Sequence, residues 1–126
     1  MNLDAKQKLL LAIYIEYQKD IPDMNLISNI TLDMDEKSFR VALNKLQSES
    51  LISGTKLHFM RNDPYPNAEN TQFVQMTREG IKFAEEKMKI DKFLSGKEKL
   101  EILQGKFSDL GWTALSDSVN KALAEM

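Results

Sequence analysis

The N-terminal part of the chain alternates apolar and polar residues with a helical period. A first helix is predicted from about Asp4 to Lys19, and the residues of its buried face are Leu9, Leu10, Ile13 and Tyr17. Pro22 disfavours helical geometry at the residue before it, so we expect the first helix to end before Pro22. A short second helix, MNLISNI, is predicted after Asp23 as its N-cap, with three inward-facing residues: Leu26, Ile27 and Ile30.

The segment DEKSFRVALNKLQSESLISG, from Asp35 to Gly54, predicts a third helix that leads into a strand. Asp35 is a suitable N-cap, and Met34 and Phe39 stand at the two positions of a hydrophobic staple across it. The apolar stripe of this helix consists of Phe39, Ala42, Leu43 and Leu46.

A β-hairpin is expected next, because the period of the pattern changes there from helical to two. Leu57 and Phe59 are predicted to point one way, and three neighbours point the other way: Lys56, His58 and Met60. The polar segment RNDPYPNAENTQ is predicted to be a long hairpin tip, and FVQM the second strand.

A closing helix is predicted in MTREGIKFAEEKMK, with Thr77 as N-cap and a staple between Met76 and Ile81. Its first apolar stripe consists of Ile81, Ala84 and Met88. Its second consists of Phe83, Ile90 and Leu94. A helix that is apolar on two sides requires two packing partners.

Two amphipathic patterns follow Gly96, separated by Gly111 as a helix stop. The apolar residues of the first are Leu100, Leu103, Phe107 and Leu110. Those of the second are Trp112, Leu115, Val119 and Leu123. Two interpretations of the second stripe remain open: it packs back onto the first helix, or it forms the interface of a homodimer.

Three helices, a hairpin and a closing helix follow one another in the order of a winged helix-turn-helix domain. We therefore predict an α+β winged helix-turn-helix domain over residues 1–90, followed by a helical C-terminal extension over residues 91–126. Through DEKSFRVALNKLQSESLISG and MTREGIKFAEE, the chain from Lys6 to about Lys89 resembles the YjcQ-like family, small winged-helix proteins of Gram-positive bacteria and their prophages. The resemblance implies a fold and no mechanism, and the tail from Asp91 departs from the family pattern.

The composition narrows the functional classes. A chain of 126 residues with 42% hydrophobic residues can bury a core of its own. The absence of cysteine excludes disulfides and thiolate metal sites, and the N-terminus resembles neither a signal peptide nor a membrane span, so a cytoplasmic protein is expected. A net charge of −2 means that any DNA binding must come from a local basic patch.

The sequence offers little catalytic chemistry. It contains one histidine, and GKEKLE lacks the second glycine and the Ser/Thr of a phosphate-binding loop. The serines lack a second histidine or a nucleophile-elbow pattern and are interpreted as caps and turns. We therefore predict a non-enzyme with no catalytic residue, no metal site, no cofactor and no small-molecule substrate.

Candidate nucleic-acid contacts lie on the third helix and the hairpin, since the N-terminal part of a recognition helix approaches base edges. Arg40 suits guanine and Asn44 suits adenine. Candidate phosphate contacts are Lys37, Lys45, Lys56 and Arg61. His58 is either an exposed surface histidine or a further phosphate contact near the wing.

Acidic residues oppose this interpretation. The residues that would repel or offset phosphate contacts are Asp33, Asp35 and Glu36 on the helix, and Asp63 and Glu69 on the wing. Residues 1–50 hold six Lys and Arg against eight Asp and Glu. Two functions therefore stay open: a dimeric transcriptional regulator that binds specific sequences of double-stranded DNA, and a non-catalytic adaptor that binds proteins through wing and tail. A continuous positive strip from Arg40 to Arg61 favours the first, and an acidic break favours the second.

Overall fold

The computed structural model describes residues 3–126, so the first two positions of the predicted N-terminal domain lie outside it. Its helices are α1 (Ala5–Tyr17), α2 (Glu36–Ser48), α3 (Arg78–Met88), α4 (Gly96–Leu110) and α5 (Thr113–Ala124), and a short 3-10 helix spans Met24–Leu26. Its strands are β1 (Ile52–Ser53), β2 (Lys56–Phe59), β3 (Pro66–Asn70) and β4 (Gln75–Met76). Within residues 3–126, no helix has both the length and the apolar character that crossing a bilayer requires.

Helix α1 lies in the centre of the fold. It begins with a capping box, in which the Gln7 backbone N–H donates to Asp4 Oδ1 at 2.8 Å and the Asp4 N–H donates to Gln7 Oε1 at 3.1 Å. Every residue from Leu9 to Glu16 is buried, so that all sides of the helix meet other elements. The prediction of a single buried face was therefore wrong. Tyr17, which was assigned to that face, is 42% exposed at the end of the helix.

The predicted second helix is absent. Only the 3-10 helix forms, and Leu26 and Ile30, both predicted to face inward, are exposed. Side-chain hydrogen bonds replace helical ones: Thr31 Oγ1 donates to the Leu26 carbonyl and accepts from the Ser28 N–H. The α+β architecture is compatible with a winged helix, but the element before α2 is a hydrogen-bonded turn.

Helix α2 follows the prediction closely. The Asp35 side chain accepts from the Ser38 N–H as N-cap, and Met34 packs at the edge of the core in front of the helix. The predicted apolar stripe is buried: Phe39, Ala42, Leu43 and Leu46.

The strands form two antiparallel pairs. In one pair Ile52 of β1 faces Met76 of β4, and in the other β2 pairs with β3, with Lys56 opposite Asn70. The polar segment predicted to be a hairpin tip therefore contains a strand, and the tip itself is residues 60–65. Leu57 and Phe59 were predicted to point the same way, but Leu57 is half-buried and Phe59 is 49% exposed. The register shifts between His58 and Phe59, which interrupts the alternation of the strand.

Helix α3 begins at Thr77, whose hydroxyl accepts from the Gly80 N–H at 3.0 Å. Gly80 is required there, since a Cβ would collide with the Leu51 carbonyl. The helix ends where Lys89 adopts a left-handed conformation (φ 57°) and the Ile90 N–H donates to the Glu85 carbonyl. The second apolar stripe predicted for this helix is not a buried face. Phe83 is 41% exposed, and Leu94 is half-buried and lies beyond the end of the helix. Ile90 is the one buried residue of the three.

Helices α4 and α5 form a hairpin that packs on α1. Gly111 separates them in a left-handed conformation (φ 70°), as predicted for a helix stop. Leu100, Leu103 and Phe107 are fully buried, whereas Leu110 is 41% exposed. These residues belong to the same hydrophobic core as α1 and α2, so the core crosses the sequence boundary predicted near residue 90.

Candidate nucleic-acid interface

Helix α2 presents one face away from the core. The residues that the helical period places on this outer face of α2 are Lys37, Val41, Asn44, Lys45 and Ser48. The side-chain hydrogen bond from Ser38 lowers the pKa of the Asp35 carboxyl that caps the helix, so this carboxylate stays charged at the end where Lys37 lies. Lys37 and Lys45 are exposed and Asn44 is half-buried.

The β2–β3 hairpin lies along one side of α2, and three contacts hold it there. At the C-terminal end of the helix, Gln47 Nε2 donates to the Thr55 carbonyl and the Thr55 N–H donates to Gln47 Oε1 at 2.8 Å. In the middle, Arg40 Nε donates to Glu69 Oε2 at 2.6 Å. Near the N-terminal end, Lys37 Nζ lies 4.5 Å from the centre of the Tyr65 ring.

Arg40 is therefore part of the junction between α2 and the hairpin rather than of the outer face of α2. Its side chain is 21% exposed, and Arg40 Nη2 also lies 3.7 Å from Glu36 Oε2. The hydrogen bond that Arg40 donates to Glu69 raises the pKa of the Arg40 guanidinium above its ordinary value. Glu69 and Glu36 thus break the positive strip that the sequence hypothesis required between Arg40 and Arg61.

The hairpin cations are divided between surfaces. Glu69, opposite Leu57 in the register, faces α2, so the alternation of β2 places Lys56 and His58 on the other face of the strand. Lys56 Nζ lies 5.9 Å from the centre of the Phe73 ring, and His58 is exposed. Arg61 is exposed on the hairpin tip. The structure thus brings Lys37, Asn44 and Lys45 together and leaves Lys56 and His58 apart from them.

The sequence indicated Glu69 as an opposing charge but not as the partner of Arg40, and it gave no role to Gln47 or Tyr65. These three side chains hold the hairpin against α2. A glutamine near a helix end and a tyrosine between two prolines have no periodic signal. Only the spatial approach of β3 to α2 reveals them.

The predicted homodimer residues lie mainly in the chain's own core. Leu115 is 3% exposed and Val119 is fully buried, which supports packing onto α1 rather than onto a second copy. Trp112 is half-buried with its ring centre 5.6 Å from that of Phe107, and Leu123 is half-buried. The dimer interface predicted for this stripe is therefore corrected for Leu115 and Val119, whose surfaces are already covered.

A buried polar cluster connects α1, α3 and α4. The Tyr14 hydroxyl donates to Glu85 Oε2 at 2.8 Å, and Lys99 Nζ lies 2.6 Å from the same oxygen. Burial, followed by the hydrogen bond to Glu85, raises the pKa of Tyr14 far above its ordinary value. The three groups satisfy one another, which makes this cluster a structural tie between helices.

No three or more His, Cys, Asp and Glu side chains gather as a metal-binding group within residues 3–126. No protein-family model, curated protein sequence or solved structure significantly matches the chain. The resemblance to the YjcQ-like family therefore stays a prediction.

Proposed function

We propose that the protein is a winged-helix-type DNA-binding protein, a regulator whose outer face of α2 lies against double-stranded DNA. The observation that carries this proposal is the charge of that face: from Lys37 to Ser48 it has two cations, Lys37 and Lys45, and no carboxylate. Lys37 and Lys45 form no ion pair within residues 3–126 and are placed to contact phosphates.

Each residue of the interface then has a distinct role. Asn44 is the candidate for base recognition, since an amide side chain can make two hydrogen bonds to adenine. Arg40 positions the hairpin through Glu69 instead of reading a base. This assignment replaces the expectation that Arg40 contacts guanine.

The test is a titration of a labelled random-sequence duplex with the protein at several salt concentrations. Lys45→Gln is expected to weaken binding and to reduce the slope of log affinity against log salt by about one unit. Lys97→Gln removes an exposed lysine from the start of α4 and is the matched control, with no expected change. The proposal fails if the wild-type protein binds no duplex at low salt, or if both variants weaken binding equally.

A second candidate function, protein binding through the hairpin, is favoured by two observations. The acidic break that Glu36 and Glu69 make beside Arg40 is the feature that the sequence hypothesis associated with an adaptor. The hairpin also carries exposed apolar side chains. Large apolar residues that are at least 45% exposed on or beside the hairpin are Phe59, Met60, Tyr65 and Phe73. Exposed apolar patches mark protein contact sites, and the hairpin tip, residues 60–65, has a single cation, Arg61, against Asp63. This candidate predicts that the protein binds no duplex. It also predicts that a photo-cross-linking residue at position 60 forms a cross-link to another protein. Phe73→Ser is expected to abolish that cross-link, whereas the control Phe93→Ser is expected to leave it unchanged.

A further inference from the structure

A basic groove lies between the C-terminal end of α1, helix α3 and the start of α4. Its volume is about 810 Å³, and Tyr17, Ile81 and Ile90 give it apolar walls. Its positively charged rim consists of Arg78, Lys82, Lys89 and Lys92. The basic groove is distinct from the outer face of α2 and is not part of the DNA interface proposed above.

The charge of the basic groove is largely uncompensated. Within residues 3–126, none of the four rim cations forms an ion pair. Two carboxylates line the groove, and one of them, Glu85, is already bound by Lys99 and Tyr14. A partner that combines negative charge with apolar side chains would match both the rim and the walls.

The chain itself contains such a segment. Residues 20–36, which we call the acidic segment, hold five carboxylates and no Lys or Arg. Asp35 caps α2 and Glu36 lies beside Arg40, so the carboxylates available to a partner are Asp20, Asp23 and Asp33. Three of its apolar side chains are exposed rather than packed in the core: Ile21 (86%), Leu26 (46%) and Ile30 (83%). Burying these side chains against the apolar walls of the basic groove removes apolar surface from water, which favours association.

The two surfaces are neighbours. Tyr17 lines the basic groove and also lines an adjacent cleft, together with Pro22 and Met24 of the acidic segment. In a two-fold dimer, a contact between two different surfaces occurs twice, once in each direction. An axis that passes near the C-terminal end of α1 therefore allows each copy to offer its acidic segment to the basic groove of the other.

We propose that the basic groove binds the acidic segment of a second copy of this chain and so forms a reciprocal homodimer. Lys and Arg on the rim pair with carboxylates of the segment, and the exposed isoleucines pack against the apolar walls. This dimer does not use the α5 stripe, and it does not depend on DNA binding.

A charge-swap experiment tests the proposal by light scattering and sedimentation, without DNA, at several protein concentrations. The groove variant carries Lys82→Glu and Lys92→Glu, and the segment variant carries Asp20→Lys and Asn25→Lys, all at exposed positions. Each variant alone is expected to be monomeric, because the substituted side chains of its groove or its segment then face charges of their own sign. An equimolar mixture is expected to form a one-to-one heterodimer, since each groove then meets a segment of opposite charge.

Two controls accompany the swap. Lys97→Glu with Lys121→Glu makes the same change of charge on α4 and α5 and is expected to leave the wild-type dimer intact. Ile30→Ser is expected to weaken the dimer at least tenfold while the melting temperature stays that of wild type. Higher salt is expected to weaken the wild-type dimer.

The proposal is overturned if the wild-type protein is monomeric at low salt and high concentration, or if mixing the two variants restores no dimer. It is equally overturned if a monomeric wild-type protein binds an acidic peptide or a single-stranded oligonucleotide through Lys82 and Lys92, because the groove then serves another partner. The duplex titration is independent of all three outcomes. Failure of the dimer and failure of DNA binding are therefore distinguishable.

Discussion

Helices α1 and α2 have the same length and the same kind of cap, yet their surroundings differ. Each has 13 residues and an aspartate at its N-cap. Helix α1 is buried on all sides from Leu9 to Glu16, whereas α2 buries a single stripe of four residues. Helix α1 lies inside the core and α2 lies at its edge. Of these two helices, α2 is the one with an exposed face that could contact a partner.

This difference determines what polar side chains do on each helix. On α1 they must find partners inside the protein: Tyr14 donates to Glu85, and Glu16 accepts from the Asp23 N–H at 2.9 Å and pairs with Lys19 at 3.0 Å. On α2, Lys37 and Lys45 remain in contact with solvent. The polar side chains of a central helix therefore serve stability, whereas those on the outer face of a boundary helix are available for binding.

The largest expected effect comes from core truncations at matched positions of the two helices. On α1, Leu11→Ala and Ile13→Ala lie on different sides, and each is expected to lower the free energy of unfolding by about 2–5 kcal/mol. On α2, the two substitutions at the same spacing, Val41→Ala and Leu43→Ala, are expected to differ in their effect on the free energy of unfolding. Leu43→Ala is expected to cost about 2–5 kcal/mol, but Val41→Ala less than about 1 kcal/mol, because Val41 lies on the outer face.

Urea denaturation of the four variants measures these differences. If Leu11→Ala proved as mild as Val41→Ala, α1 would have an open side and the contrast between the helices would disappear. Equal, large losses for both α2 variants would indicate that the outer face of α2 is covered by another element or a second copy.

The contrast also explains how much the sequence could predict. The apolar run LLLAIYI has no polar side, and a helix that is hydrophobic all round is a buried one. The periodic pattern nevertheless suggested one face, because the helical spacing is satisfied by a subset of the apolar residues: Leu9, Leu10, Ile13 and Tyr17. For α2 the cap and the stripe are local features, and both were predicted correctly.

Elements without local signals were missed. Strand β3, PNAEN, has low strand propensity, and its position depends on pairing with β2 and on the contact of Glu69 with Arg40. The segment MNLISNI has a helical pattern, but Ser28 and Thr31 form hydrogen bonds that favour a turn. At the candidate interface, Lys37, Asn44 and Lys45 could be found from spacing alone, whereas the role of Arg40 required the fold.

A smaller effect on the free energy of unfolding is expected from a rise in pH. It reports on Tyr14, the buried tyrosine of α1. Because the folded protein holds the Tyr14 pKa far above its ordinary value, the unfolded chain alone loses this proton above about pH 10. Stability from Tyr14 is therefore complete below pH 10 and is expected to fall by about 1.4 kcal/mol per pH unit above it.

Tyr14→Phe is the control for this effect. It removes the hydroxyl and is expected to cost about 1–2 kcal/mol at neutral pH, since Glu85 loses one donor but keeps Lys99. Above pH 10 the variant is expected to lose stability less steeply than the wild type. Identical slopes in urea titrations of the two proteins would show that Tyr14 is exposed to titration, and α1 would not be the closed centre described above.

The smallest expected effect concerns the boundary helix, at the ion pair that holds the hairpin against α2. Arg40 and Glu69 are each about one-fifth exposed, so solvent screens their attraction only partly. A double-mutant cycle with Arg40→Gln and Glu69→Gln is expected to give a coupling energy of about 1 kcal/mol, and this energy should shrink as salt is added.

Arg40→Gln is also expected to increase amide hydrogen exchange in β2 and β3 without changing exchange in α1, because only the hairpin depends on this contact. A coupling energy near zero with unchanged exchange would mean that the hairpin is held by the other two contacts, between Gln47 and Thr55 and between Lys37 and Tyr65. Arg40 would then be available to turn toward the outer face of α2, and the guanine contact predicted from the sequence would regain its support.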